Sequence, residues 1–374
     1  IIKANKEDIK ISKENNIKEI LIDRLILNDN RINDLCNAIK QIKELKDPIG
    51  EYISTETLSN GLKVCKKRVP IGVIGMIYEA RPNVTVDGFS ICIKSSNVVI
   101  LKGGKEAINT NKVIVKYLRQ SIKELGYDEN FIQLIEDTNR ETTMNMMKMN
   151  NYIDVLIPRG GAGLIKTVLE NSTIPVIETG VGNCHIFIDE TADFNKALKI
   201  VLNAKAQRPS VCNALETLLV HKNIANEILP ILADELLKNG IEIRADEKAK
   251  KIILKEEIKL ACEKDWEEEF LDYILAIKIV DNIEEAILHI TKYSTGHSEA
   301  IITENYTNAN KFTEEIDSAV VYVNSSTRFT DGGEFEFGAE IGISTQKLHC
   351  RGPMGLKEIT SYKYIVFGDG QIRE

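Results

Sequence analysis

The sequence predicts an α/β fold with two parallel-sheet domains and a small β arm. Three observations carry that prediction. Short apolar runs alternate with helical patterns over residues 71–178 and again over 185–324, as strands joined by crossover helices do. The predicted strand ends of the first block, at 78–83, 102–104, 158–161 and 178–182, are glycine-rich or polar, and ligands of parallel sheets bind beyond such ends. Ahead of the first strand, Asn60-Gly61 sits among alternating residues, a strong hairpin signal.

Residues 5–46 are rich in Lys, Glu, Asn and Ile. Ile32, Leu35, Ile39, Ile42 and Leu45 fall at helical spacing, so surface-packed helices are predicted, ended at Asp47-Pro48-Ile49-Gly50. Residues 51–70 form the polar hairpin. The first block then reads strand 71–78, helix 84–95, strand 97–102, helix 107–126, strand 132–135, helix 140–149, strand 155–157, helix 162–171 and strand 175–178. The second reads strand 185–189, helix 194–206, strand 217–221, helix 225–239, strand 274–280, helix 283–292, strand 298–303, helix 308–316 and strand 319–324. The acidic run 263–269 reads as a solvated loop, 325–342 as a Gly- and Thr-rich loop, and 360–367 as a terminal strand.

Composition narrows the function. The 374 residues carry 48 Lys and Arg against 56 Asp and Glu, a net charge of −8. Scattered acidic charge excludes a nucleic-acid binder. The seven cysteines are odd in number and never in Cys-x-x-Cys, which favours free thiols in a reducing cytoplasm over a disulfide frame or zinc ribbon. The histidines form no His-x-x-x-His pair, so no metal is expected. No apolar run is long enough to span a membrane, and no signal-peptide pattern is present. The chain starts at Ile1 rather than Met, so the missing signal-peptide pattern leaves open whether a leader or an earlier segment stands before it.

One stretch, Lys205-Ala206-Gln207-Arg208-Pro209-Ser210-Val211-Cys212-Asn213-Ala214-Leu215-Glu216-Thr217, places a single thiol in polar surroundings. Pro209 and Ser210 suit the start of a short helix. A thiol on a first helical turn meets unpaired N–H groups and the positive dipole end, which favour the thiolate. Arg208 adds a fixed positive charge. A free Cys also fills space in cores, and from this stretch alone both roles stay open.

The Gly-x-Gly-x-x-Gly fingerprint is absent, so a dinucleotide would bind without that phosphate loop. A strand ending in Leu101-Lys102, a Gly160-Gly161 turn opening a helix, Glu178 at a later strand end and Cys212 beyond it resemble the aldehyde dehydrogenases. Within that superfamily, Val69-Pro70-Ile71-Gly72-Val73-Ile74-Gly75-Met76-Ile77-Tyr78-Glu79-Ala80-Arg81-Pro82-Asn83 resembles the gamma-glutamyl phosphate reductase family. So do Glu178-Thr179-Gly180-Val181-Gly182-Asn183-Cys184-His185, the Cys212 stretch, residues 289–301 and residues 338–356. The resemblance covers essentially the whole chain. Three departures stand out. The family usually has a further N-terminal helical segment, Ser294 stands where Gly is common, and Cys350 where a small residue is frequent.

The resemblance implies an aldehyde dehydrogenase-like fold. Its dinucleotide-binding domain would be 1–50 and 71–182, and its thiol domain 183–354. Residues 51–70 and 355–374 would form an oligomerisation arm in which the tail joins the hairpin of the other subunit. The implied reaction is NADPH-dependent reduction of L-glutamyl 5-phosphate to L-glutamate 5-semialdehyde and phosphate, the second step of proline biosynthesis. The cofactor would be NADP(H), the assembly a homodimer or homotetramer, and a glutamate kinase a partner that hands over the acyl phosphate.

Residue roles follow from the same resemblance. Cys212 is the nucleophile, and its backbone N–H is an oxyanion donor. The superfamily's side-chain Asn falls, without gaps, on Glu79, which cannot donate when ionised. Asn83 is the nearest amide, with a plain turn role after Pro82 as the competitor. Glu178 matches a general base that here would tune Cys212 or relay its proton, with a structural role as the alternative. Lys102 matches the ribose-binding lysine and suits a 2′-phosphate. Gly160 and Gly161 match the pyrophosphate turn, and Glu269 the residue on the nicotinamide ribose, with Glu267 and Glu268 solvated. Arg81 and Arg208 are candidates for the substrate phosphate, and Ser325 and Arg328 for its amino and carboxylate groups; each Arg could equally be paired with a carboxylate. Two other readings remain: a hydrolytic aldehyde dehydrogenase on another small aldehyde, and a thiol acyltransferase or amidase without a dinucleotide.

Overall fold

A computed structural model describes residues 1–17, 19–338 and 340–373, with backbone alone for 19–21. Lys18, Ala339 and Glu374, which fall within the domain ranges above, lie outside the described residues. The chain divides into two units. Unit 1 comprises residues 1–179, 335–342 and 348–374, and unit 2 residues 180–334 and 343–347. No helix among the described residues is long and apolar enough to cross a membrane.

Unit 1 opens with α1 (Ile2–Glu14), α2 (Glu19–Leu25) and α3 (Asp29–Glu44), then β1 (Tyr52–Thr57) and β2 (Lys63–Pro70). Its parallel sheet uses β3 (Val73–Tyr78), β4 (Val98–Gly103), β5 (Ile132–Leu134) and β6 (Val155–Arg159) in the order β5-β4-β3-β6. The helices α4 (Asn83–Lys94), α5 (Ile108–Glu124) and α6 (Arg140–Met146) connect these strands, and α7 (Ala162–Asn171) follows β6. Ile74, Met76, Leu101 and Leu156 are fully buried, as strands covered on both faces require. Helix α1 docks through polar groups. Asp8 accepts the backbone N–H and hydroxyl of Thr110 at 2.8 and 2.6 Å, a carboxylate on the first turn of α5.

Residues 175–178 do not form the expected strand. Val176 makes a single bridge to Leu156, because Pro175 lacks an N–H and Thr179 leaves the sheet by donating its hydroxyl to the Pro158 carbonyl at 2.6 Å.

The arm is an antiparallel sheet, β1-β2-β16, with β16 at Thr360–Phe367. Gly61 turns the hairpin at φ +85°, where a side chain would be strained. The tail lies on its own hairpin rather than on another subunit's: Thr360 faces Pro70 and Phe367 faces Lys63. Two bonds start it there, from Asn97 to the Ile359 carbonyl at 2.9 Å and from Arg68 to the Thr360 hydroxyl at 2.8 Å. The strand β15 (Gly352–Pro353) precedes it.

Unit 2 runs β7 (Cys184–Ile188), α8 (Phe194–Ala206), β8 (Leu215–His221), α9 (Lys222–Lys238), β9 (Glu242–Ala245), α10 (Glu247–Ile253) and β10 (Lys259–Leu260). Then come α11 (Glu263–Glu267), β11 (Ile274–Val280), α12 (Ile283–Tyr293), β12 (Ser298–Ile302), α13 (Tyr306–Glu315) and β13 (Val320–Val323), with the short β14 (Ile343–Ser344) later in the chain. Its sheet is parallel, in the order β10-β9-β11-β8-β7-β12-β13. Elements β9 to α11 were not legible in the sequence because they are short and charged; β9 buries only Ile243 and Ala245.

The acidic run 263–269 is not a plain solvated loop. Asp265 and Trp266 are buried. Asp265 accepts the Cys262 N–H at 2.8 Å and pairs with Arg244 at 2.5 Å, which folds the run into α11.

Candidate active site

Cys212 stands in a turn between α8 and β8, not on a helix. No helix dipole therefore favours its thiolate, contrary to the expectation above. A backbone turn and side-chain bonds shape residues 208–214. The Ala214 N–H donates to the Val211 carbonyl at 3.1 Å. The Asn213 side-chain amide donates to the carbonyls of Arg328 and Thr330 at 3.2 and 3.0 Å, and the Asn213 backbone carbonyl accepts the Thr327 hydroxyl at 2.7 Å. Among the seven thiols, Cys65, Cys92, Cys184 and Cys350 are buried, Cys36 and Cys262 are exposed, and Cys212 is half-buried.

The run from Gly182 to His185 is the platform beneath the thiol loop. Gly182 is required sterically, because a Cβ there would lie 1.4 Å from the Cys212 carbonyl oxygen. The same oxygen accepts the Cys184 thiol at 3.2 Å. Asn183 donates to the carbonyls of Trp266 and Tyr293 at 2.7 and 2.9 Å, and its N–H goes to the Thr295 hydroxyl at 3.0 Å. The His185 N–H donates to Glu299 at 2.7 Å. Glu269, on the strap after α11, accepts the Gly182 N–H at 2.8 Å. Glu267 is exposed, and Glu268 pairs with Lys264 at 3.2 Å.

Arg328 reaches this loop. Its Nε donates to the Gln207 side chain at 3.0 Å and its Nη1 to the Asn213 side chain. Burial, then the nearby Arg208 charge, holds its guanidinium below the ordinary value, with Cys212 acting the other way. Arg208, Arg328 and Cys212 thus share one electrostatic neighbourhood. Arg208 is exposed, and Ser325 is half-buried at the start of the loop after β13.

Two further residues, not singled out by sequence pattern, lie at the base of this loop. Lys205 and Glu216, both fully buried, pair at 2.5 Å. Their signal was a Lys and a Glu bracketing the thiol stretch, which spacing alone does not distinguish from surface charges.

In unit 1 the strand ends of β3, β4 and β6 gather around Glu79. Its N–H donates to the Arg159 carbonyl at 3.1 Å, and its carboxylate accepts the Gly161 N–H at 2.9 Å. A Cβ on Gly160 would approach that carboxylate to 2.8 Å, and one on Gly104 would come to 3.5 Å from the Glu79 backbone. Lys102 is buried, and burial depresses its ammonium while Asp137 and Glu106 support it. Asn83 opens α4, and its amide donates to Asp87 at 3.1 Å. Burial pushes the Asp87 carboxyl up to about 6, against Asn83 and the Arg159 charge. Arg81 is half-buried in the loop after β3, and Glu178 is half-buried beyond the Val176 bridge. The set fits an anionic dinucleotide. The N-terminus of α7 holds an anionic group, here the Glu79 carboxylate, glycines at 160 and 161 open that helix, and Lys102 stands near the end of β4, two strands from β6.

The profile of the Aldehyde dehydrogenase family matches residues 25–251 and 261–365. The chain is 59% identical over 374 residues to a gamma-glutamyl phosphate reductase of Thermoanaerobacter pseudethanolicus, covering 100% of this chain and 90% of that one. It is 58% identical over 374 residues to that of Caldanaerobacter subterraneus, with the same coverage. The crystal structure of the Thermotoga maritima gamma-glutamyl phosphate reductase superposes with a TM-score of 0.96 at 52% identity, over 100% of this chain and 90% of that one. The chain belongs to the aldehyde dehydrogenase family, in its gamma-glutamyl phosphate reductase branch. That membership implies use of a dinucleotide.

Proposed function

We infer that the protein reduces L-glutamyl 5-phosphate to L-glutamate 5-semialdehyde and phosphate with NADPH, the second step of proline biosynthesis. One observation carries the chemistry. Cys212 is a half-buried thiol on a pinned turn, with Arg208 and Arg328 beside it.

The Cys212 thiolate attacks the acyl phosphate carbonyl, and the C–O bond to phosphate breaks, leaving a thioester. The cations Arg208 and Arg81 suit the departing phosphate, while Ser325 and Arg328 suit the amino and carboxylate head. The Cys212 backbone N–H suits the oxyanion, a contact of about 3–4 kcal/mol in well-studied enzymes. Asn83 is the weaker donor, since its amide is engaged by Asp87. When bound, the nicotinamide supplies the hydride that a thioester accepts. Cys212 then leaves as the thiolate when the thiohemiacetal collapses. Lys102, Gly160 and Gly161 would hold the adenosine side of NADP(H), Lys102 favouring a 2′-phosphate, and Glu269 the nicotinamide ribose. Glu178 relays a proton or tunes Cys212.

The exposed tyrosines of the arm, Tyr362 and Tyr364 on one face and Tyr52 on the other, support a homodimer or homotetramer. A glutamate kinase would be the source of the labile acyl phosphate.

The test follows nicotinamide absorbance with glutamate 5-semialdehyde, NADP and phosphate, omitting one component at a time. Turnover is expected to need all three and to vanish in Cys212→Ala. Undiminished turnover without phosphate would replace the reading with hydrolytic oxidation.

A further inference from the structure

We propose that the buried Lys205–Glu216 ion pair is a positioning device, which locks the Cys212 loop to the strap carrying Glu269 and so sets where the thiol stands. Lys205 lies in the last turn of α8 and Glu216 near the start of β8. The 2.5 Å bond between them therefore closes residues 206–215, with Cys212 inside the closed loop. The second oxygen of Glu216 accepts the Leu271 N–H at 3.2 Å. Leu271 is held at φ +53°, the left-handed region, where a non-glycine residue is strained. Two residues earlier, Glu269 takes the Gly182 N–H at 2.8 Å. Gly182 lies directly against the Cys212 carbonyl. The links form a ring: thiol loop, Lys205, Glu216, strap, Glu269, Gly182 and thiol loop again. Phe270 packs in it, with its ring centre 6.0 Å from the Lys205 ammonium and 5.1 Å from the Arg244 guanidinium.

Stability alone does not account for such a pair. Taking two charges out of water costs several kcal/mol per ion, and apolar residues of the same volume often serve as well or better. What the ion pair adds is a fixed direction and a second acceptor oxygen for the strained strap. The two ends of the ring are the nucleophile and the residue assigned to the nicotinamide ribose. The pair therefore holds in one register the two groups that must agree in position, and a displacement of about 1 Å in such a register costs on the order of 100-fold in rate.

The proposal rests on Cys212 as the nucleophile, and its test is separable from the identity of the substrate. Two variants are compared with the wild type: Lys205→Met/Glu216→Leu, which keeps the volume without charge, and Glu216→Gln, which keeps the shape and loses one of the two bonds. Each is assayed for kcat, for KM, and for the rate at which iodoacetamide alkylates Cys212 in the absence of substrate and cofactor. The double variant is expected to unfold at or above the wild-type midpoint. Its kcat and its alkylation rate should change by about tenfold or more, with KM within about twofold. Glu216→Gln should show the same split at about threefold. Wild-type kcat and alkylation in the folded double variant would overturn the proposal; should that variant not fold, wild-type values in Glu216→Gln would do so. Because alkylation requires neither substrate nor cofactor, it still decides the matter if glutamate 5-semialdehyde proves not to be turned over.

Discussion

Gly182→Ala tests the platform under the thiol with the smallest possible change. The new methyl carbon would stand 1.4 Å from the Cys212 carbonyl oxygen, 2.3 Å from its carbonyl carbon and 2.8 Å from its Cα. Ordinary contact begins at 3.4 Å, so the two backbones must separate by about 2 Å. No side chain can swing aside, because every atom met is main chain. On one side Gly182 is tied to Glu269 at 2.8 Å; on the other, Asn213 anchors the Cys212 loop to residues 328 and 330. Overpacking of this kind costs about 1–3 kcal/mol of stability. A 2 Å displacement of the nucleophile should cost on the order of 100-fold or more in kcat. Measuring kcat, the thermal midpoint and Cys212 alkylation on one preparation separates the two effects. A variant with near-wild-type kcat would refute the idea that Gly182 sets the position of Cys212.

Two further outcomes concern unit 1. Burial holds the Asp87 carboxyl at about 6, against 3.8 in the ordinary group. Its neutral form is therefore the one the fold favours, and that contribution is complete below about pH 4 and lost as the pH rises through 6. Asp87→Asn should gain up to about 3 kcal/mol relative to wild type between pH 4 and 7 in urea unfolding, and a pH-independent difference would count against it. Glu79→Ala frees the Gly161 N–H from the carboxylate now on it. NADPH should then bind about fivefold tighter by calorimetric titration, about 1 kcal/mol, while the start of α7 loses a similar amount of stability. Unchanged or weaker binding would show that the cofactor does not use that N–H.

Most of the sheet framework was legible because strands buried on both faces leave near-continuous apolar runs, such as Ile274–Val280, and helices leave a periodic stripe. Helices α7 and α8 fall at the predicted bounds. The losses have physical causes. Elements β9 to α11 are short, and their charges pair with one another rather than with water, as Arg244 does with Glu242 and Asp265. The strand expected at 175–178 is cut to one bridge by Pro175 and the Thr179 hydroxyl. The tail pairs with its own hairpin because Asn97 and Arg68 catch it at Ile359 and Thr360.

By itself the sequence determined the alternation of elements, the absence of a glycine-rich phosphate fingerprint, and the thiol stretch whose motifs resemble those of one family. Those are properties of neighbouring residues, and neighbours are what a sequence lists. Only the tertiary structure decided that Cys212 rides on a turn rather than a helix, and that Gly182 is glycine because a carbonyl fills its Cβ position. It alone decided that Lys205 and Glu216 are a buried pair rather than surface charges. Each of these depends on what lies across space from a residue, and local spacing carries no record of that.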